Sequence, residues 1–193
     1  MFERFTDQAR RVVVLAQEEA RRLDRHEIAD DLLLIGIAAQ PDGTGGRVLA
    51  EVGADAERLR ERIQAVVGSD RKHRSGHLPF TSTAKNVLEG ALRAAMGLGA
   101  REIGTEHLLI ALTKVDGAGV DVLRGLGVDV DELRNRTMRA TSADRDTATV
   151  EETQATPWST PRADVEAQLA GIESALQQIL VRLTAIEKRL PEQ

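Results

Sequence analysis

The sequence predicts an all-α fold, a duplicated four-helix repeat followed by a C-terminal coiled-coil helix, and three observations carry that prediction. Residues 5–60 return, more loosely, at 80–134. Phe5-Thr6 reappears as Phe80-Thr81, and Ala9, Val12, Ala16, Ala20, Leu23 and Ile28 reappear 75 positions later as Ala84, Val87, Ala91, Ala95, Leu98 and Ile103. After one deletion the offset becomes 74, and Leu49, Gly53, Asp55, Leu59 and Arg60 match Leu123, Gly127, Asp129, Leu133 and Arg134. Matched apolar positions at helical spacing mean one supersecondary unit used twice, each copy too short to bury a good core without the other. The second observation is composition: 41% hydrophobic, supplied by Leu, Val, Ile and Ala, with three Phe, one Trp and no Tyr. That is poor in the aromatic runs strands favour. The third is an unbroken four-three apolar spacing near the C-terminus.

The first helix is predicted from Thr6, a side chain able to cap free N–H groups, to about Leu23. A loop through Asp24-Arg25-His26 leads to an apolar helix, Asp31–Ala38. Pro41 to Gly46 reads as a breaker. A short helix over Arg47–Val52 should end at Gly53 as a left-handed C-cap, and Asp55 should open a fourth helix to about Val67. The second copy repeats the scheme as Thr81–Leu98, Thr105–Thr113, a turn at Asp116–Gly119, a short helix ending at Gly127, and Asp129–Met138. The repeats therefore span about 5–67 and 80–138 of a 1–138 domain, joined by a polar linker, Gly68–Pro79. Residues 139–161 are Thr-rich with few large apolar side chains and are expected to be disordered.

From Pro161 the pattern changes again. Leu169, Leu176, Leu183 and Leu190 take position a of a heptad, and Val165, Ile172, Ile179 and Ile186 take d, over a helix spanning 162–190. Leu at a with Ile at d favours three or four strands over two. Arg182 at g meets Glu187 at e of a parallel neighbour, whereas antiparallel pairing sets glutamates together, so a parallel tetramer is the favoured homo-oligomer. The alternative is an amphipathic helix folding back on its own domain; Gly171 weakens either helix by roughly 1 kcal/mol.

Several chemistries are excluded. There is no cysteine, hence no disulfide, thiolate nucleophile or Cys-based metal site. None of Lys72, Lys85, Lys114 and Lys188 sits in a phosphate-binding loop. His73 and His77 have metal-like spacing, but a neighbouring Gly76 and Pro79 and the missing third ligand make them linker residues. No metal or other cofactor and no catalytic constellation is expected. A net charge of −5 argues against a nucleic-acid footprint. No run reaches membrane-span length and the N-terminus lacks a signal-peptide h-region, so a cytoplasmic protein is expected. The sharpest local feature is Glu102-Ile103-Gly104-Thr105-Glu106-His107. It reads either as a helix start capped by Thr105 or as an anion-binding helix N-terminus with a carboxylate beside it for a cation.

These residues resemble a known family. Met1-Phe2-Glu3-Arg4-Phe5-Thr6 with the following Ala9 to Ala20, then Ser75-Gly76-His77-Leu78-Pro79-Phe80-Thr81 and Gly104-Thr105-Glu106-His107-Leu108-Leu109, are similar to the N-terminal domain of the ClpC Hsp100 unfoldases of actinobacteria and Gram-positive bacteria. The resemblance covers about residues 1–138 and implies an all-α Clp N domain of eight helices that receives substrates and adaptors for the Clp protease. In ClpC two AAA+ modules follow; here a linker and coiled coil are expected in their place. The resemblance also implies ligand sites. A phosphoarginine side chain is expected at the second repeat, with Thr81, Gly104, Thr105, Glu106 and His107, where Glu106 meets the guanidinium. The first repeat departs, with Ala29, Asp30, Asp31 and Leu32 at the matching positions and Thr6 retained, so this is a degenerate site in which Asp30 opposes the phosphate. Phe2, Phe80, Lys85 and Glu89 match positions where actinobacterial ClpC N domains bind cyclic-peptide antibiotics; as residues alone, the two Phe could equally plug the repeat seam.

The function expected is that of a non-enzymatic binding protein sharing ligands with the ClpC N domain and acting as a decoy or sequestering factor. The alternative is an adaptor that docks cargo on ClpC itself. A DNA-binding regulator or small enzyme is disfavoured by the acidic balance and the missing constellation.

Overall fold

The computed structural model describes residues 2–66 and 78–154. After a 3-10 turn at Phe2–Arg4 come α1 Asp7–Arg22, α2 Asp30–Ala38, α3 Thr44–Glu51 and α4 Ala56–Val66. The second copy supplies α5 Ser82–Gly97, α6 Thr105–Leu112, α7 Ala118–Gly125 and α8 Val130–Gln154. All eight α-helices of the duplicated four-helix repeat are thus in place. Thr6 and Thr81 cap α1 and α5 as their spacing requires, each hydroxyl accepting from an amide three residues on, Ala9 at 3.2 Å and Ala84 at 3.1 Å. Gly53 and Gly127 close α3 and α7 in the left-handed region, with φ of 70° and 78°.

The two copies share one apolar core. α2 and α6 are its centre, and apart from Ala38 and Glu106 every residue of the two is buried. A helix apolar around most of its circumference must be surrounded by others. α1 packs on α2 and α5 on α6 within each copy, while α2 meets α7 and α3 meets α6 across the copies.

The copies are also stitched reciprocally through their backbones. Ile103 N–H donates to Arg4 O at 2.7 Å and Thr6 N–H to Ile103 O at 3.0 Å; Ile28 N–H donates to Pro79 O at 2.8 Å and Thr81 N–H to Ile28 O at 3.0 Å. Phe5 thus bridges Ile103, and Phe80 bridges Ile28. Phe80 and Ile103 are the second-copy equivalents of Phe5 and Ile28, so the two bridges are one contact made twice.

The glycine-rich stretches correct the prediction. Gly45 and Gly46 lie inside α3 rather than breaking it, because the backbone is packed too closely for a side chain. A Cβ at Gly46 would fall 2.1 Å from Gln40 O and one at Gly45 2.6 Å from Thr105 O. The end of the domain differs as well. Where Met138 is the expected terminus and a disordered linker should follow, α8 continues to Gln154, and the compact unit extends to Arg145. Thr141, which reads as linker, bonds back to the helix, donating to Thr137 O at 2.8 Å, as Thr137 within the predicted helix donates to Leu133 O at 2.7 Å; both are buried. Asp144 then reaches across to α3, accepting from Thr44 and pairing with Arg47 at 2.6 Å. Residues 155–161 of the expected linker, the coiled-coil helix 162–190, His73 and His77 all lie outside the described residues.

Candidate ligand-binding poles

Two sets of helix N-termini define the candidate site. At one pole the bridge between Phe5 and Ile103 is followed at once by the starts of α1 and α6. The start of α3 joins them, since Thr105 Oγ1 accepts from Gly45 N–H at 3.0 Å. At the other pole the bridge between Ile28 and Phe80 leads into α2 and α5. There Asp30 Oδ2 accepts from Gly119 N–H at 2.7 Å, bringing in the start of α7. Each pole therefore draws three helix N-termini, with their free amides and positive dipole ends, from both copies.

Thr105 and Asp30 are matched residues, and each caps a short helix of the opposite copy at its second position. Thr105 is therefore not the cap of its own helix, as its sequence context suggests. That role falls to Gly104, whose N–H donates to His107 Nδ1 at 2.9 Å. Asp30 likewise does more than oppose an anion, because its carboxylate is engaged by the α7 amide. The cap glycines follow from these approaches: a Cβ at Gly43 would lie 2.5 Å from Thr105 Oγ1, and one at Gly117 2.3 Å from Asp30 Oδ2.

The structure regroups the predicted site residues. Thr6, not Thr81, lies beside Gly104, Thr105, Glu106 and His107; Thr81 lies beside Ala29, Asp30 and Asp31. The sequence offset assigns each Thr to its own copy, but the reciprocal backbone bridges exchange them.

The two motif carboxylates are in different electrostatic states. Asp31 is fully buried, and its Oδ2 accepts from Arg25 Nη2 at 2.6 Å while Oδ1 accepts from Leu32 N–H at 2.9 Å. Burial pushes the Asp31 carboxyl above its ordinary range, and Arg25 opposes that shift. Glu106, 17% exposed, folds back over Gly104, where a Cβ would lie 2.3 Å from its Oε1. Among the described residues no Lys or Arg is paired with it. Its near neighbour is His107 Nδ1, 2.9 Å from Oε1. That nitrogen cannot both accept the Gly104 hydrogen and donate to Glu106. The amide geometry makes it an acceptor, so the proton sits on Nε2, which is buried without a partner among the described residues. The Glu106 carboxylate consequently faces another acceptor and is poised for a cationic donor.

The remaining predicted residues do not converge on these poles as tightly. Phe80 is half-buried and packs against the core, while Lys85 and Glu89 are exposed, one turn apart on α5. The side chain of Phe2 lies outside those described. Position-by-position reading also missed a groove of about 700 Å³ between α5 and α6, flanked by Arg93 and Lys114 and bounded by Met138. It opens because Gly90, Ala94 and Gly97 stand where the first copy has Leu15, Glu19 and Arg22. A comparison of the two copies' side-chain volumes would have found it.

The chain belongs to the Clp repeat (R) N-terminal domain family, whose model matches residues 4–118 and 79–175. It is 39% identical over 136 residues to an ATP-dependent Clp protease ATP-binding subunit ClpA homolog of Trieres chinensis, covering 70% of this chain and 15% of that protein. It is 38% identical over 153 residues to the chloroplastic chaperone protein ClpC of Pisum sativum, covering 78% and 17%. The chain thus spans less than a fifth of the length of these relatives. Among solved structures, the N-terminal domain of ClpD from Arabidopsis thaliana superposes with a TM-score of 0.61 at 26% identity, covering 74% of this chain and 97% of that one. The Hsp104 N-terminal domain of Candida albicans shares the fold alone, with a TM-score of 0.59 at 16% identity and coverage of 70% and 93%. No helix among the described residues is long and apolar enough to cross a membrane.

Proposed function

We propose that this protein is a cytoplasmic, non-enzymatic binding module that shares ligands with the ClpC N domain and acts as a decoy or sequestering factor for the Clp protease system. The observation that carries the reading is Glu106: a carboxylate without a basic partner among the described residues, set among the N-termini of α1, α3 and α6. A ligand that joins a guanidinium to a phosphate fits both halves of such a pole, the guanidinium on Glu106 and the phosphate at the free amides. A phosphoarginine side chain of a substrate or adaptor has that chemistry. Phe80, Lys85 and Glu89 offer a second surface, an aromatic anchor with both charge signs, for cyclic-peptide antibiotics. Association through residues 162–190, with a parallel tetramer favoured, would raise avidity for multivalent ligands.

Titration calorimetry with an N-acetylated phosphoarginine amide tests the reading. Wild type binds and Glu106→Ala loses at least tenfold in affinity; equal binding by both removes Glu106 from the account. Degradation assays with a complete Clp machine then separate two roles. A decoy slows turnover of competing substrates, whereas acceleration of selected substrates would replace it with an adaptor.

A further inference from the structure

The internal duplication relates the two poles, so a contact made at one marks where its counterpart falls at the other. At the α2 pole a guanidinium already rests on the motif carboxylate. Arg25 comes from the turn before α2, is only 20% exposed, and donates to Asp31 at 2.6 Å. The matching residues in the second copy are Ala100 and Glu106, and a methyl group cannot reach the carboxylate. Both members of the pair differ between the copies together. The copy with a resident guanidinium has the shorter acid, and the copy without one has the longer, more reaching acid.

We infer that Arg25 is a built-in occupant of a guanidinium site on Asp31, closing the α2 pole to outside ligands, and that its seat marks where an incoming arginine-like group rests on Glu106, an extension of the Glu106 reading. The α2 pole is then a latent site held shut from within. A tethered group competes at an effective concentration in the millimolar range or above, so a free guanidinium of weaker affinity does not displace it. Removing Arg25 leaves Asp31 with a single partner, the Leu32 amide, and exposes it to any guanidinium in solution. The nearby Asp30 carboxylate, which stays 2.7 Å from the Gly119 amide, disfavours a phosphorylated ligand there. The opened pole therefore takes a plain guanidinium.

The test uses the full chain and N-acetylarginine amide in a Glu106→Gln background, which silences the other pole. Titration calorimetry should give no binding for Glu106→Gln alone and one site per chain once Arg25→Ala is added. Adding Asp31→Asn should remove that site again. A folded Glu106→Gln/Arg25→Ala protein that binds nothing overturns the inference. Where Arg25→Ala compromises folding, Arg25→Gln takes its place. Thermal melts supply a second readout, in which N-acetylarginine amide raises the midpoint of the Arg25 variants in the Glu106→Gln background and leaves Glu106→Gln alone unmoved; no shift in either Arg25 variant also overturns it. The phosphoarginine titration of wild type reports separately on Glu106. Loss of that signal with the Arg25 effect intact removes the Glu106 reading alone, and the reverse outcome removes this inference alone.

Discussion

Replacing Thr105 with Val distinguishes a cap on its own helix from a cap on the opposite copy. The substitution keeps the branched shape at a buried site and removes the hydroxyl that accepts from Gly45 N–H at 3.0 Å. Loss of an N-cap costs about 1 kcal/mol, and leaving the partner amide buried without an acceptor costs roughly 1–3 kcal/mol. These describe one interaction from two sides and do not add, so about 2 kcal/mol is expected, of which a new methyl contact returns less than about 1 kcal/mol. For a domain of this size that is a fall of roughly 3–6 °C in the melting midpoint. Urea unfolding gives the magnitude, and amide hydrogen exchange gives the place. Protection should fall at Gly45 and the first turn of α3, sixty residues away in sequence, while Glu106 and His107 keep theirs. A loss confined to the first turn of α6, or a change under about 0.5 kcal/mol, would refute the crossed cap and restore the local one.

Four further substitutions have definite expected outcomes. Arg25→Ala should destabilise the fold by about 3 kcal/mol at pH 7, near the low end for breaking a buried pair because Arg25 is partly solvated. Asp31 is already raised by burial and would rise further without Arg25. As pH falls through that raised value Asp31 takes a proton and the cost disappears, so urea midpoints of variant and wild type should converge from pH 7 to pH 4.5; a constant gap sinks the account. Gly127→Ala should cost about 1 kcal/mol from its left-handed backbone alone, since a Cβ there meets nothing within 4 Å. Gly46→Ala should cost about 3 kcal/mol or more, from a clash with Gln40 O at 2.1 Å; equal midpoints for the two would show that the packing argument fails. Asp144→Ala should change global stability by less than about 1 kcal/mol, since its pair with Arg47 is half exposed. Exchange should nonetheless accelerate at residues 139–145, and unchanged protection there would mean that the α3 contact does not hold the end of α8.

Much of the fold was legible because its signals are local. Thr6 and Thr81 announce helix starts through a hydroxyl three residues from an amide, and Gly53 and Gly127 announce helix ends through a backbone conformation other residues resist. Where a residue answers to a distant partner, the same local grammar misleads. Gly45 and Gly46 look like breakers, yet they are glycine because Gln40 and Thr105 press on the backbone. Thr141 looks like linker composition, yet it bonds back into a helix that Asp144 fastens to Arg47.

The candidate site divides along the same line. The motif Gly104-Thr105-Glu106-His107, its altered partner Ala29-Asp30-Asp31-Leu32 and the two capping threonines are all readable from the duplication. That comparison also reveals the pairing of Arg25 with Asp31 against Ala100 with Glu106, once both positions are taken together. By itself the sequence determined the helices, the repeat and the family, because caps, periodicity and offsets are properties of neighbouring residues. Only the tertiary structure decided which threonine joins which motif and which helix each motif side chain caps. Those choices depend on contacts that cross between the copies, and a contact between residues roughly fifty to a hundred positions apart leaves no periodic trace in the chain.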